Sequence, residues 1–131
     1  MVAIDANVLL RWLLRDDMAL AAKADTAIDA SRAHSLLLDR LILAEVSYVL
    51  RSYYKLDKPH IAHNLAAVLA DKHFYVVDRD MVGAALALFA TEKPLSFEDC
   101  WLLALRQQGT VEAVLTFDQN LAKRAIRNKS E

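Results

Sequence analysis

The sequence predicts an α/β fold: three layers, with helices on both sides of a mostly parallel sheet of about four strands. Two observations carry that prediction. Short apolar runs alternate with helical patterns along the chain, the signature of strand–helix units on a parallel sheet. Only two glycines and two prolines punctuate the sequence, and no Asn-Gly or Asp-Gly pair occurs, which argues against a hairpin-built meander or sandwich.

The first strand is read from Val2 to Asp5, followed by a helix from about Asn7 to Arg15. A second helix runs from Asp17 to about Arg32, with Leu20, Ala24, Ala27 and Ile28 on one face. Ser35 to Asp39 is the second strand, and a strongly apolar helix covers Leu41 to Tyr54. Pro59 suits the first turn of the next helix, whose stripe is Ile61, Leu65, Val68 and Leu69. Phe74 to Val77 is the third strand. The helix after it, Asp80 to Glu92, stops just ahead of Pro94. Phe97 to Gln108 is helical with Gly109 as its stop signal. Glu112 to Phe117 reads as the fourth strand and Gln119 to Ile126 as a short closing helix.

At 131 residues the chain fits one domain, 1–131, without repeat, linker or low-complexity segment. The longest apolar run, Met81 to Ala90, is far short of the ~20 residues that span a bilayer. Asp5, Arg11 and Arg15 interrupt the N-terminal region, so it does not read as a signal peptide. Cys100 is the only cysteine, which excludes an intrachain disulfide and points to a reducing, cytoplasmic setting. A hydrophobic content of 56% hints at apolar surface reserved for a partner.

Four acids stand in apolar surroundings. Asp5 ends Val2-Ala3-Ile4, and Asp118 follows Val114-Leu115-Thr116-Phe117. Glu45 lies within Leu41-Ile42-Leu43-Ala44-Glu45-Val46, and Asp99 opens Cys100-Trp101-Leu102-Leu103. A carboxylate pressed toward a core is costly unless paired, hydrogen-bonded or metal-bound. Removing these four from the 17 acids leaves 13 against 16 bases, and the tail carries Lys123, Arg124, Arg127 and Lys129 against Glu131. A basic rim around an acidic centre is compatible with a phosphate substrate.

Parallel sheets place ligands beyond the carboxyl ends of their strands. Asp5 and Asp118 follow strands one and four, Glu45 falls early in the helix after strand two, and Asp99 lies in the first turn of its helix. Simpler roles exist for three of them. Ser96-Phe97-Glu98-Asp99 has the form of a capping box, Asp118 can cap the last helix, and Asp5 can make an Asx-turn. Glu45 is too far into its helix to be a cap.

Ile4-Asp5-Ala6-Asn7-Val8-Leu9-Leu10-Arg11, Ala44-Glu45-Val46, Ser96-Phe97-Glu98-Asp99-Cys100 and Thr116-Phe117-Asp118 resemble the PIN-domain ribonucleases, most closely the VapC-like toxins of toxin–antitoxin pairs. The resemblance covers nearly the whole chain. It implies a metal-dependent endoribonuclease in which Asp5, Glu45, Asp99 and Asp118 build a Mg²⁺ or Mn²⁺ site, with Asn7 and Thr116 as supporting polar residues. Asp5 and Asp99 are the firmest ligands on this reading. Asp118 is a ligand or outer-shell acceptor, and Glu45 orients or deprotonates the nucleophile. The partners it implies are RNA, a cognate antitoxin and a second copy of the chain, with no membrane. Two departures stand out: Ala6 replaces a hydroxyl residue common in the family, and the sequence runs only a little past the last helix, which leaves the fifth strand of many relatives an open expectation. All-oxygen coordination suits Mg²⁺ or Mn²⁺, and such an ion can polarise a phosphate and acidify an attacking water.

Other residues read as ordinary. His60 and His63 are surface positions and Cys100 is core; Trp12 and Trp101 are packing residues. Arg11, Arg15, Arg51 and Arg106 read as solvated, with contact to RNA phosphates as the alternative. Two rival readings are a non-catalytic RNA- or partner-binding module and an aspartate-nucleophile phosphatase. For the second, Ile4-Asp5-Ala6-Asn7 lacks the second aspartate such a motif needs.

Overall fold

The computed structural model describes residues 1–129, and the side chains of residues 1–126. Glu131 and the side chains of Arg127 and Lys129, counted above in the basic tail, lie outside the described residues. The elements are β1 (Val2–Ala3), α1 (Ala6–Leu14), α2 (Met18–Asp29), β2 (Leu36–Leu38), α3 (Arg40–Ser52), α4 (Lys58–Ala70), β3 (Phe74–Val76), α5 (Arg79–Thr91), α6 (Phe97–Gln107) and α7 (Gln119–Lys129). The sheet is parallel throughout, in the order β1-β2-β3. Val2 stands opposite Leu36, and Leu36 opposite Phe74. The ladder continues past the strand ends, because Ile4 N donates to Leu37 O at 3.3 Å and Val77 N to Leu38 O at 3.0 Å.

Aspartates and one serine start the helices. Asp5, Asp17, Asp39 and Asp57 each accept hydrogen bonds from main-chain N–H groups of the first turn of α1, α2, α3 and α4. Such caps satisfy donors that a helix leaves unpaired at its N-terminus. Pro59 sits in the first turn of α4 as its sequence position predicts. The buried face of α2 is Ala21, Ala24 and Ile28; Ala27, expected on that face, is exposed.

The core gathers Leu38, Leu43, Leu50, Ile61, Leu65, Phe74, Phe89, Phe97 and Leu103 from β2, α3, α4, β3, α5 and α6, all at most 2% exposed. Trp12 tilts against Phe74 with ring centroids 5.6 Å apart, in the packing role expected for it. Helix α3 lies at the centre of the arrangement, touching α1, α4 and α6, while α6 also packs on α5 and α7. No helix among the described residues is long and apolar enough to cross a membrane.

The fourth strand expected at Glu112 to Phe117 is not formed, and the described sheet has three strands. The segment still alternates, with Val114 and Thr116 half-buried while Leu115 and Phe117 are exposed. No main-chain ladder ties it to the sheet among the described residues. The apolar run therefore marked a strand candidate, and pairing is what it lacks.

Candidate functional site

Each described strand ends in an aspartate at the same edge of the sheet: Asp5 after β1, Asp39 after β2 and Asp78 after β3. Adjacent strands are spaced about 4.8 Å apart, so this edge concentrates negative charge just where helices begin. Asp5 Oδ1 accepts from Val8 N at 3.0 Å. Asp39 Oδ1 accepts from Leu41 N at 3.0 Å and Ile42 N at 3.2 Å. Asp78 differs: its backbone is left-handed at φ 55°, it makes no cap, and its carboxylate faces the Arg40 guanidinium at 3.9 Å. The same guanidinium stacks over Trp101, 4.9 Å from the ring centroid. Asp39 and Asp78 were not singled out in the sequence, although both follow apolar strand runs as Asp5 does.

The other expected acids lie on neighbouring elements. Glu45 projects from α3, is exposed, and has no hydrogen-bond or ion-pair partner among the described residues. Asp99, half-buried on α6, completes the capping box: Ser96 N donates to Asp99 Oδ2 at 3.2 Å and Asp99 N to Ser96 Oγ at 3.1 Å. Asp118 heads α7, where Oδ1 accepts from Leu121 N at 2.9 Å, and its own N–H donates to Thr116 Oγ1 at 3.0 Å. Thr116 thus braces the main chain of Asp118. Asn7 is exposed on the first turn of α1.

The premise that these acids are pressed into the core needs correcting. Asp5, Glu45 and Asp118 are exposed and Asp99 is half-buried. Their elements form a chain of contacts, α1 on α3, α3 on α6 and α6 on α7. Yet among the described residues no three Asp, Glu, His or Cys side chains stand together as a metal ion requires. In donor chemistry the quartet fits a hard cation: it is all oxygen, and each capping aspartate uses a single carboxylate oxygen on its helix, leaving the other open. In position the four are not assembled into one cage.

The model of the PIN domain family matches residues 2–127. The chain belongs to the PIN-domain family. PIN domains are a family of nucleases, generally metal-dependent. No curated protein and no solved structure gives a significant match.

One further feature of this PIN domain was invisible in the sequence. Lys58, only 7% exposed, donates to the carbonyls of Glu92 at 2.5 Å, Lys93 at 3.2 Å and Leu95, and sits 4.3 Å from the Phe89 ring centroid. Burial holds its ammonium below the ordinary lysine range. Its acceptors lie more than thirty residues away, so local pattern gives no warning. Cys100 is fully buried, and burial raises its thiol to about 12, which keeps it protonated and inert as the core reading required. Arg11 and Arg15 pair with Asp16 and Asp25, so neither is a free cation.

Proposed function

We propose that this PIN domain is an endoribonuclease dependent on Mg²⁺ or Mn²⁺ and acts as the toxin of a toxin–antitoxin pair. The observation that carries the nuclease reading is the family match across residues 2–127. On this reading the catalytic carboxylates are Asp5, Glu45, Asp99 and Asp118; Asp5, Asp99 and Asp118 would hold the ion once drawn together, with Asn7 and Thr116 supporting them. Glu45 suits a proton acceptor for the attacking water, because its carboxylate is exposed and unpartnered.

The toxin role rests on the motif resemblance. It is supported by an apolar cavity of about 430 Å³ between α3 and α6, lined by Leu41, Ala44, Trp101, Leu102 and Leu105. Leu41 there is 72% exposed and Leu102 39% exposed, a surface suited to the antitoxin or to a second copy in a homodimer. A cytoplasmic setting agrees with the lone buried thiol.

One observation favours a second reading. The acids are not assembled, as a PIN fold that binds RNA without cutting it would allow. Cleavage of labelled single-stranded RNA with Mg²⁺ or Mn²⁺ separates the two. The nuclease reading requires cutting that stops in EDTA and is lost in Asp99→Asn, and a melting temperature raised by millimolar metal. Equal cutting by wild type and Asp99→Asn, or none by either, would sink it.

A further inference from the structure

A cavity of about 350 Å³ between α3 and the start of α6 is a polar cleft that the proposed chemistry leaves unused. It is lined by Ser47, Arg51, Ser52, Lys55, Ser96 and Glu98, over a floor made by Phe89. Arg51 and Lys55 have no carboxylate partner among the described residues, unlike Arg11, Arg15 and Arg124. Ser47 is the telling residue. It is 3% exposed, lines the cavity, and its hydroxyl makes no hydrogen bond among the described residues. Arg11 Nε is the one buried side-chain polar atom left without a partner among the described residues, so the Ser47 oxygen is itself open to the cleft and free to donate to what enters it.

The charges point the same way. Beneath the floor, the Lys58 ammonium sits against Phe89. Arg51 is near enough to disfavour that ammonium's charge, second to burial among the causes that lower it. An anion in the cleft would relieve this repulsion. Glu98, exposed at the rim, opposes it, and the start of α6 is already capped by the Asp99 carboxylate on Ser96 N, so the attraction comes from the two free cations.

We propose that this cleft is a phosphate subsite that grips a backbone phosphodiester of single-stranded RNA away from the bond being cut, with Arg51 and Lys55 as charge partners and the Ser47 hydroxyl as a donor. The proposal rests on the RNA substrate of the nuclease reading. It adds three positioning residues that no carboxylate chemistry requires. Arg51 is the strongest of them, since a guanidinium can hold two phosphate oxygens at once.

The test is binding of a short fluorescein-labelled single-stranded RNA by anisotropy, in EDTA, as a function of salt. Arg51→Ala is expected to weaken binding about tenfold and to lower the salt slope by about one. Lys55→Ala should lower the slope similarly, and Ser47→Ala should weaken binding with no change of slope. Lys72→Ala, in the turn that precedes β3, is the control and should bind as wild type. Inorganic phosphate should compete with the RNA for wild type and not for Arg51→Ala. Wild-type affinity and slope in Arg51→Ala, Lys55→Ala and Ser47→Ala, or no wild-type binding, overturns the subsite. Binding that obeys these expectations in a protein that never cuts RNA overturns the nuclease reading and leaves the subsite standing.

Discussion

The buried ammonium of Lys58 at the start of α4 donates to the main-chain carbonyl of Leu95, the residue directly ahead of the Ser96 that caps α6. With the Glu92 and Lys93 carbonyls also bound, all three N–H bonds of the ammonium are used on one loop. That loop delivers Asp99. A side chain far away in sequence therefore fixes where the capping box, and with it a proposed catalytic carboxylate, begins.

Replacing Lys58 by methionine keeps the apolar stem and strips three carbonyls of their donor. Leaving buried polar groups unpaired costs about 1–3 kcal/mol each in the worst case, so a total loss of about 2–4 kcal/mol is expected after partial rehydration. Urea denaturation measures it. A midpoint equal to that of wild type would show that the loop is held by something else.

Asp99 has two separable jobs. As the third residue of the capping box it accepts from Ser96 N, which an asparagine oxygen can also do. Asp99→Asn should therefore keep stability within about 0.5 kcal/mol, while Asp99→Ala should lose about 1 kcal/mol with the cap. RNA cleavage should fall at least a hundredfold in both, because only the carboxylate carries the charge the chemistry needs. Glu45→Gln, with no structural partner to lose, should leave the melt unchanged and cut activity by about 10²–10⁴. Thermal melts beside initial cleavage rates decide it; activity that tracks stability across the three variants contradicts a catalytic role.

Cys100 predicts the alkaline behaviour. Its thiol pKa rises from 9.0 to about 12 through burial. Below pH 9 the thiol is neutral folded and unfolded, and its contribution is fully present. Between 9.0 and about 12 the unfolded chain loses the proton first and is stabilised by doing so, and the native state loses stability. Lys58 acts oppositely, because a lowered lysine pKa makes the native chain release its proton first and adds stability as pH approaches the ordinary 10.5. Cys100→Ala removes the first effect, together with the thiolate's pull on the Lys58 charge. It should lose less stability than wild type between pH 9 and pH 11, by on the order of 2 kcal/mol, in urea titrations at each pH. Parallel pH profiles would contradict it.

What the sequence revealed follows from how local each signal is. Helix starts were readable because a cap needs only residues one to three positions apart, as Ser96 and Asp99 demonstrate. The parallel sheet and the edge at which Asp5 lies followed from alternation of apolar runs with amphipathic helices. Exposure of the acids was misjudged, because apolar neighbours in sequence, such as Leu43 and Val46 around Glu45, point to another side of the helix. Lys58 and Ser47 were missed since their surroundings come from α5 and α6, which no window of the sequence brings near them. The fourth strand failed for the same reason. A short apolar run marks a candidate strand, while a ladder partner is a tertiary matter.

The extended segment before α7 offers a last test. Leu115 is 99% exposed and Phe117 fully so, on a stretch whose main chain joins no sheet among the described residues. Truncating a side chain that touches nothing removes no burial, so Leu115→Ser and Phe117→Ser should each shift stability by no more than about 0.5 kcal/mol. A fourth strand packed beside β1 would give a different answer, since burying a leucine or phenylalanine contributes about 1.5–3 kcal/mol. Amide hydrogen exchange reports on the same question through the backbone: fast exchange from Glu112 to Phe117 agrees with an unpaired segment, and protection comparable to that of Leu37 requires a ladder. Because Asp118 follows directly and Thr116 braces it, whichever result holds also fixes how far the last acid of the quartet can travel toward the sheet edge.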